Sequence, residues 1–276
     1  NKTDVFYSPY FNIPAHITIP VYTTIHDIIF ADMPEICSRA GLAARMWFYR
    51  RAFRLSKKIF TVSLFSKSRI EYHLGNTKPV TVAHSGIQGQ YLSYQERKNI
   101  QKYILFIGNI KKHKGLSCLI KAFREARKDG LDYKLVITGE KNNFRTSYRE
   151  KREETKDLFH DENILFTGFV SDEELQKLIN EAAMLVQPSL YEGFGLPPLE
   201  ALISGTPALV SDIPVFREIY SAYPVTYFKA DCSDDLKEKL LALLGGGIPP
   251  RVELDGELRK KYTFSRTAET IMKEIL

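Results

Sequence analysis

The sequence of 276 residues predicts an α/β protein with parallel sheets arranged in two domains. Three observations support this fold class. Short apolar runs alternate along the chain with helical patterns, which is typical of parallel sheets built from right-handed crossovers. The composition, 44% hydrophobic and 26% charged, is that of a globular protein and excludes disorder. A polar stretch at 92–102 separates two such blocks and indicates a linker between domains.

Nine apolar runs are predicted to be β-strands, because each is short, apolar and bounded by turn residues. In chain order they are Pro20–Thr24, Ile59–Val62, Val80–Ala83, Tyr103–Ile107, Lys134–Thr138, Ile164–Thr167, Met184–Gln187, Pro207–Ser211 and Val225–Phe228. Helical patterns between them lie at about 38–57, 65–73, 116–129, 147–158, 172–182, 197–204, 214–221 and 233–244. After a Gly-Pro break at 245–250, Thr263–Leu276 is predicted to form a last amphipathic helix.

The second block, about 103–245, contains six strand–helix units and is predicted to be a complete doubly wound domain. The first block has only three clear strands after an opening segment at Asp4–Ser8, so we expect its beginning to be missing from this chain. The predicted bounds are 1–98 for a partial N-terminal domain, 99–258 for the C-terminal domain and 259–276 for the final helix. No run approaches the ~20 apolar residues that a membrane-spanning helix needs.

Positive charge is concentrated at the start of the chain. The net charge is +6, but residues 1–98 contain 13 Lys and Arg against 6 Asp and Glu. A basic surface attracts nucleic acid, anionic lipid or a phosphorylated substrate, and composition does not choose among them. The three cysteines, Cys37, Cys118 and Cys232, are odd in number and far apart. They argue against a disulfide scaffold or zinc site, and we expect a cytoplasmic protein.

Several common motifs of α/β enzymes are absent. The sequence has no Gly-x-Gly-x-x-Gly dinucleotide fingerprint, no His-Glu-x-x-His and no Gly-x-Ser-x-Gly. Gly108 to Gly115 loosely resembles a phosphate loop, but Lys-Ser/Thr does not follow, so a kinase-type P-loop is excluded.

The most informative stretch is Tyr-Glu-Gly-Phe-Gly-Leu-Pro-Pro-Leu-Glu-Ala at 191–201, which follows a predicted strand and opens a helix. Two glycines allow close approach of a ligand to the backbone, and two prolines suit a first helical turn. The positive end of the helix favours an anion. Glu192 and Glu200 lie on either side of the glycine turn and can accept hydrogen bonds from hydroxyls. The stretch therefore suits a nucleotide-diphosphate sugar.

This stretch closely resembles the Glu-x7-Glu signature of family 4 retaining glycosyltransferases, which have the GT-B fold of two Rossmann-like domains facing across a cleft. Other segments are similar to that family in the right order. They are Tyr103–Gly115, Ile164–Val170, Gly205–Pro207, Ser211–Pro214, Ile25–Asp27, Phe60–Ser66 and Phe264–Ala268. The resemblance implies that Lys114 grips the donor diphosphate and that His26 approaches the sugar from the first domain.

The resemblance also implies the remaining donor contacts. Glu200 is expected at the ribose, Glu192 at the donor sugar, and Val170 beside the base. The other expected donor-binding residues are Gly108, Asn109, Gly193, Phe194, Gly195 and Leu196. Two departures stand out: Asn109 occupies a position where many members have Arg, and the family's Gly-rich N-terminal loop has no counterpart. Lys111 or Lys112 is a candidate for the second positive charge. His113 is expected to face solvent.

The activity implied is transfer of a sugar, with retention, from a nucleotide-diphosphate donor to a hydroxyl of a glycan or lipid-linked acceptor. The resemblance implies no obligatory metal and no cofactor, and Lys114 with the helix N-terminus can take a cation's place. Catalysis is assigned to His26, Lys114 and Glu192. Two other classes stay open: a donor-binding subunit or inactive homologue that needs a partner, and a related GT-B epimerase or phosphorylase.

The helix predicted at 38–58 combines Trp47 and Phe48 with seven basic residues. One interpretation is an ordinary amphipathic helix with a solvated basic face. The other is an interfacial helix on anionic lipid, which would make the protein peripheral on the inner face of a membrane. No nucleic-acid-binding module is recognised, and we expect no nucleic-acid partner.

Overall fold

A computed structural model of the chain describes residues 4–92, 99–139 and 161–276, and their strands form two parallel sheets. The first sheet has the order β1-β2-β3-β4. Its strands are β1 (Phe6–Ser8), β2 (Val21–Thr24), β3 (Ser56–Thr61) and β4 (Val80–Val82). The second sheet contains β5 (Gln101–Phe106), β6 (Lys134–Ile137), β7 (Ile164–Phe166), β8 (Ala182–Gln187), β9 (Ala208–Ser211) and β10 (Thr226–Phe228). Its order is β10-β9-β8-β5-β6-β7.

Helices connect and flank the strands. Those before the second sheet are α1 (Ile29–Asp32), α2 (Arg39–Leu55), α3 (Leu64–Leu74) and α4 (Gly89–Leu92). The later ones are α5 (Leu116–Lys128), α6 (Asp172–Glu181), α7 (Leu196–Ile203), α8 (Pro214–Tyr220), α9 (Ser233–Leu244), α10 (Gly256–Lys260) and α11 (Phe264–Ile275). Two 3-10 turns lie at Pro34–Ile36 and Lys112–Lys114.

Both sheets are covered on both faces, as the alternation of side chains along each strand requires. In the first sheet Ile59 packs with Tyr49 and Phe53 of α2, whereas its neighbour Phe60 belongs to the opposite face. That opposite face is covered by Ile271 and Ile275 of α11. The last helix therefore returns to the first sheet, through apolar contacts with its β-strands.

The second sheet separates two larger clusters. Phe106 and Leu135 face a cluster that includes Phe123 of α5 and Leu240 of α9. The alternate residues, such as Leu105, face helices α6, α7 and α8. A strand buried on both faces must be apolar throughout, which explains why β8 has six buried residues in succession.

All nine predicted strands are confirmed, although β3 starts three residues earlier than expected and β5 and β8 each start two residues earlier. The predicted helix at 147–158 lies outside the described residues. Of the predicted linker 92–102, residues 93–98 also lie outside them, and Gln101 and Lys102 belong to β5. The predicted domain bounds remain predictions. No helix in the described ranges is long and apolar enough to cross a membrane.

Candidate active site

The order of the second sheet determines where a ligand can bind. From β5 the chain proceeds to β6 and β7 on one side and then returns to place β8 on the other side of β5. The loops that leave neighbouring strands β5 and β8 lead to helices on opposite faces of the sheet, α5 and α7, and a crevice forms at the carboxyl ends of the strands. Lys114 follows β5, and Glu192 follows β8. The topology thus brings together two residues that are 78 positions apart.

Lys114 and Glu192 form an ion pair in this crevice. Lys114 Nζ lies 2.7 Å from Glu192 Oε1 and 2.8 Å from Oε2. The two side chains are only 19% and 10% exposed, so solvent screens the pair weakly. Ser189 Oγ donates a further hydrogen bond of 2.7 Å to Glu192 Oε1. A cation held at the topological switch point is suited to bind an anionic ligand.

The two loops approach each other closely at Gly115. This residue has a left-handed φ of 67°, and a Cβ atom added to it would lie 1.9 Å from the carbonyl oxygen of Pro188. Leu190 N also donates to the carbonyl of His113 at 2.7 Å. The prediction that His113 faces solvent is wrong, because this residue is half-buried. Burial, with the nearby charges of Lys114 and Lys111, lowers the pKa of His113 to about 4.

The first domain forms the facing wall through the loop after β2. A Cβ atom on Gly193 would lie 3.1 Å from the carbonyl oxygen of His26 and 3.2 Å from Cβ of Asp27. A side chain at Gly193 would therefore press on the loop after β2, whose atoms would have to move by a few tenths of an ångström. The His26 side chain is exposed at this wall, and its Nε2 lies 3.0 Å from the carbonyl oxygen of Pro9.

Asp27 adds a third carboxyl group, which the sequence did not single out as a site residue. Burial and the negative charge of Glu192 raise the pKa of Asp27, although Ile29 N donates to its Oδ1 at 3.0 Å and lowers that pKa. The positive charge of Lys114 lowers the same pKa, so the Asp27 carboxyl group is close enough to interact with both Lys114 and Glu192. Its position directly after His26 was the available signal in the sequence.

Glu200 lies one turn inside α7 and differs electrostatically from Glu192. Its carboxylate has no hydrogen-bond partner among the described residues, and it is partly buried. Burial, followed by repulsion from Asp172, raises the pKa of Glu200 to about 7. An unpaired carboxylate with this pKa can gain hydrogen bonds from ligand hydroxyls.

The remaining predicted site residues have different surroundings. Phe194 is buried against His84 and Tyr262, at ring distances of 6.2 and 5.2 Å, so only its backbone can face a ligand. Gly195 precedes α7 with a φ of 90°, and Leu196 is the first residue of that helix. Gly108, Asn109 and Val170 lie in the loops after β5 and β7. Asn109 is exposed, and Gly108 N donates to Thr138 Oγ1 at 3.3 Å.

Further polar contacts connect the two domains beside the site. Ser63 Oγ and Ser66 Oγ donate to the carbonyl of Gly193 at 2.7 and 3.3 Å. Tyr191 donates to Asp32 at 2.9 Å. In the ranges 4–92, 99–139 and 161–276, no three His, Cys, Asp or Glu side chains converge as metal ligands would.

Two doubly wound domains that meet at such a crevice define the GT-B architecture, and the comparison with solved structures agrees. The chain superposes on sucrose-phosphate synthase from Thermosynechococcus elongatus with a TM-score of 0.79 and 15% identity, over 99% of this chain and 73% of that one. At this identity the likeness shows the fold. The fold class predicted from the sequence is therefore confirmed.

The chain belongs to the family described as glycosyl transferases group 1, whose model matches residues 93–261. It is 30% identical over 213 residues to an O-antigen chain mannosyltransferase of Salmonella typhimurium strain LT2, covering 74% of this chain and 56% of that protein. It is 28% identical over 207 residues to a serotype-specific mannosyltransferase of Escherichia coli, covering 74% of this chain and 24% of that protein. The chain thus spans about half of the first relative and a quarter of the second.

Proposed function

We propose that this protein is a retaining glycosyltransferase that transfers mannose from a nucleoside-diphosphate donor to a hydroxyl group of a glycan or lipid-linked acceptor. The observation that carries the proposal is the half-buried Lys114–Glu192 pair at the switch point, directly before α7. It combines a cation for a diphosphate with a carboxylate for sugar hydroxyls. Family membership and the names of the two mannosyltransferases support the reaction class and the sugar.

Each site residue receives a role in this proposal. Lys114 and the amino end of α7 bind the diphosphate and stabilise the charge that develops as it departs. Glu192 and the backbone of 193–196 bind the sugar, and Glu200 binds the ribose. His26 contacts the sugar from the first domain. Gly108, Asn109 and Val170 line the nucleotide end of the crevice.

The reaction breaks the bond between the anomeric carbon and the diphosphate oxygen and forms a bond from that carbon to the acceptor oxygen. The acceptor hydroxyl loses its proton to the departing diphosphate oxygen on the same face of the sugar, so the anomeric configuration is kept. In this proposal Lys114 balances the charge of the leaving group, and the reaction needs neither a metal ion nor another cofactor.

The test is an assay of the 276-residue chain with GDP-mannose, GDP-glucose and UDP-glucose, in the presence and absence of glycan acceptors. We expect transfer from the mannose donor, with a product whose anomeric configuration, measured by NMR, matches that of the donor. Inversion would contradict the retaining mechanism. Donor binding without transfer would favour a donor-binding subunit, and donor conversion without acceptor would favour an epimerase.

We also propose that α2 lies on an anionic membrane surface, on the cytoplasmic side where nucleotide sugars are available. Trp47 is 58% exposed and packs edge-on against the exposed Phe48, with ring centroids 5.0 Å apart. Arg51 and Leu55 continue the same helix face toward a cavity of about 650 Å³. Arg54, Lys57 and Lys78 contribute positive charge to that cavity. Exposed aromatic rings beside basic groups complement a layer of anionic headgroups.

Vesicle sedimentation tests this surface. Binding to vesicles that contain anionic lipid should fall with added salt and when Arg50 and Arg54 are changed to Glu, since each basic residue contributes about 1 kcal/mol. Lys237→Glu, on α9 in the second domain, is the matched control. Equal binding to neutral vesicles, or no binding to either kind, contradicts the proposal.

A further inference from the structure

Behind Glu192 lies a chain of buried hydrogen bonds that the roles above do not use. Gln187 is the last residue of β8, Ser189 follows two positions later, and both side chains are fully buried. Gln187 Nε2 donates to Ser189 Oγ at 3.0 Å, and Ser189 Oγ donates to Glu192 Oε1 at 2.7 Å. Gln187 Nε2 also lies 3.4 Å from the same carboxylate oxygen.

The two oxygens of Glu192 consequently have unequal surroundings. Oε1 accepts from Lys114, Ser189 and Gln187, whereas the only contact of Oε2 among the described residues is with Lys114 at 2.8 Å. A carboxylate offers about four acceptor positions, so Oε2 retains capacity for a further donor. The protein holds one oxygen and leaves the other to accept from a ligand hydroxyl.

The backbone of this loop is held as well. Ser211, the last residue of β9, is fully buried, and its Oγ donates to the carbonyl oxygen of Ser189. Ser189 is thereby held at two points: Ser211 binds its main-chain carbonyl, and Gln187 binds its side-chain hydroxyl. A carboxylate held in this way loses little conformational entropy when a ligand binds.

The orientation of the Gln187 side-chain amide leaves one of its polar atoms without a hydrogen bond, which costs folding free energy. Its Oε1 is buried and has no hydrogen-bond partner among the described residues. The opposite orientation would turn this carbonyl oxygen toward the Glu192 carboxylate, which would repel it. The negative charge of Glu192 therefore sets the amide orientation, and an unpaired buried oxygen is tolerated in return.

We propose that Gln187 and Ser189 are positioning residues that fix Glu192 through Oε1, so that Oε2 faces a hydroxyl group of the donor sugar. This inference rests on the proposed function and deepens it. Neither residue contacts the donor in this proposal. Their effect on the reaction passes through Glu192, and this dependence can be measured.

The experiment compares Ser189→Ala and Gln187→Met with the unchanged chain. Each should lower kcat about tenfold, the loss expected for one hydrogen bond to a charged group, while nucleoside-diphosphate affinity changes less than about twofold. Gln187→Met also removes the unpaired oxygen at similar volume, so its melting temperature should not fall. Ser56→Ala is the control, because it removes a buried 2.8 Å hydrogen bond to Thr23 in the first sheet.

A double-mutant cycle decides whether the effect passes through Glu192. In a Glu192→Ala background, Ser189→Ala should cause no further loss of kcat. An equal loss in both backgrounds, or full kcat in Gln187→Met, overturns the proposal. The proposed function fails separately, if the unchanged chain transfers no sugar. In that case the affinity that the sugar adds to the nucleotide, measured by calorimetry, still tests the positioning, since both variants should reduce this increment.

Discussion

At the residue scale, the low exposure of Lys114 determines how strongly its charge can interact with a ligand. It is only 19% exposed and pairs with Glu192, whereas Lys112, two residues earlier in the same turn, is exposed. A buried cation interacts strongly with a diphosphate because little water screens the two charges. Its removal would also leave Glu192 without a cation, and that carboxylate would then repel the ligand.

Lys114→Ala should therefore weaken nucleoside-diphosphate binding about 10- to 100-fold, as expected for the loss of a charged hydrogen bond. The matched variant Lys112→Ala should change affinity less than about threefold, because exposed charges are screened. Isothermal titration calorimetry on both variants, with circular dichroism to check folding, measures the difference. Similar losses for the two lysines would show that the phosphate contact has been assigned to the wrong residue.

The contribution of Glu200 to binding should depend on pH, because burial and Asp172 raise its pKa to about 7. Ribose hydroxyls donate to the ionised carboxylate, so binding should favour the deprotonated form. Affinity for a nucleotide sugar should then rise roughly tenfold between pH 6 and pH 8, as Glu200 ionises. Nucleotide sugars are the right probe, since their diphosphate does not titrate in this range.

Glu200→Gln should remove this pH dependence and weaken binding at pH 8. The same group also has a predictable effect on stability. Because its pKa is higher in the folded than in the unfolded state, stability falls as pH rises from about 4.3 to about 7, and Glu200→Gln should lessen that fall. Identical pH profiles of affinity for the two proteins would argue against a contact between Glu200 and the ribose.

At the scale of elements, the site depends on how closely the β5–α5 and β8–α7 loops can approach. Gly115 is the N-cap residue directly before α5, and the carbonyl of Pro188 occupies the space that a side chain would need. Gly130, after the end of the same helix, also has a positive φ, of 96°, but no atom lies within 4 Å of its added Cβ. Comparing alanine substitutions at these two glycines therefore separates the cost of the left-handed backbone conformation from the cost of a clash with Pro188.

Both Gly115→Ala and Gly130→Ala should lose about 1–2 kcal/mol from the left-handed conformation. Gly115→Ala should lose about 1–3 kcal/mol more, because the two loops must separate, and it should also weaken nucleotide binding by moving Lys114. Urea unfolding gives the stability difference, and calorimetry gives the affinity. Equal effects of the two substitutions on both quantities would mean that the loops do not need this contact.

At the scale of the whole molecule, carboxylates of one domain cap or bind groups of the other. Glu218 of α8 accepts from the amides of Leu64 and Phe65, at 2.7 and 2.8 Å, at the amino end of α3. Burial raises the pKa of Glu218, but His84, whose Nε2 lies 3.8 Å from Glu218 Oε1, and the hydrogen bonds from the Leu64 and Phe65 amides outweigh burial and hold the pKa below its usual value. The domain contact is thus sensitive to acid.

The sign of this effect follows from the lowered pKa. The stabilisation by Glu218 is fully present above about pH 4.3, its unfolded value, and is lost as pH falls through the folded value. Glu218→Gln should reduce stability by roughly 1–3 kcal/mol at pH 7, and the difference from the unchanged chain should shrink toward pH 3. Thermal unfolding across this range measures it.

Asp212→Asn is the control for this prediction, because Asp212 also has a lowered pKa but pairs with Arg217 on the surface. Exposed pairs contribute little, so this variant should differ from the unchanged chain by less than about 1 kcal/mol at either pH. A difference for Glu218→Gln that stays constant from pH 7 to pH 3 would indicate that its negative charge is not what joins the domains.

The sequence by itself determined the fold class and the order of the strands along the chain, and it predicted Glu192 and Glu200 as site residues. Alternating apolar runs can pack only as buried parallel strands, and the spacing of Glu192 and Glu200 around a glycine turn is a local property of 191–201. The short helices α1, α4 and α10 left no comparable signal, since one turn of helix depends on tertiary contacts more than on periodicity.

Only the tertiary structure decided which residues meet. The return of β8 to β5 places Glu192 against Lys114 and brings Asp27 of the first domain to the same crevice. The tertiary structure also connects Gln187 and Ser189 to Glu192 by hydrogen bonds, although in the sequence they look like ordinary residues at the end of a strand. The burial of Phe194 and the half-burial of His113 likewise depend on tertiary packing. Hydrogen bonding and pKa depend on distance and burial, and for residues far apart in the chain both are properties of the packed sheets.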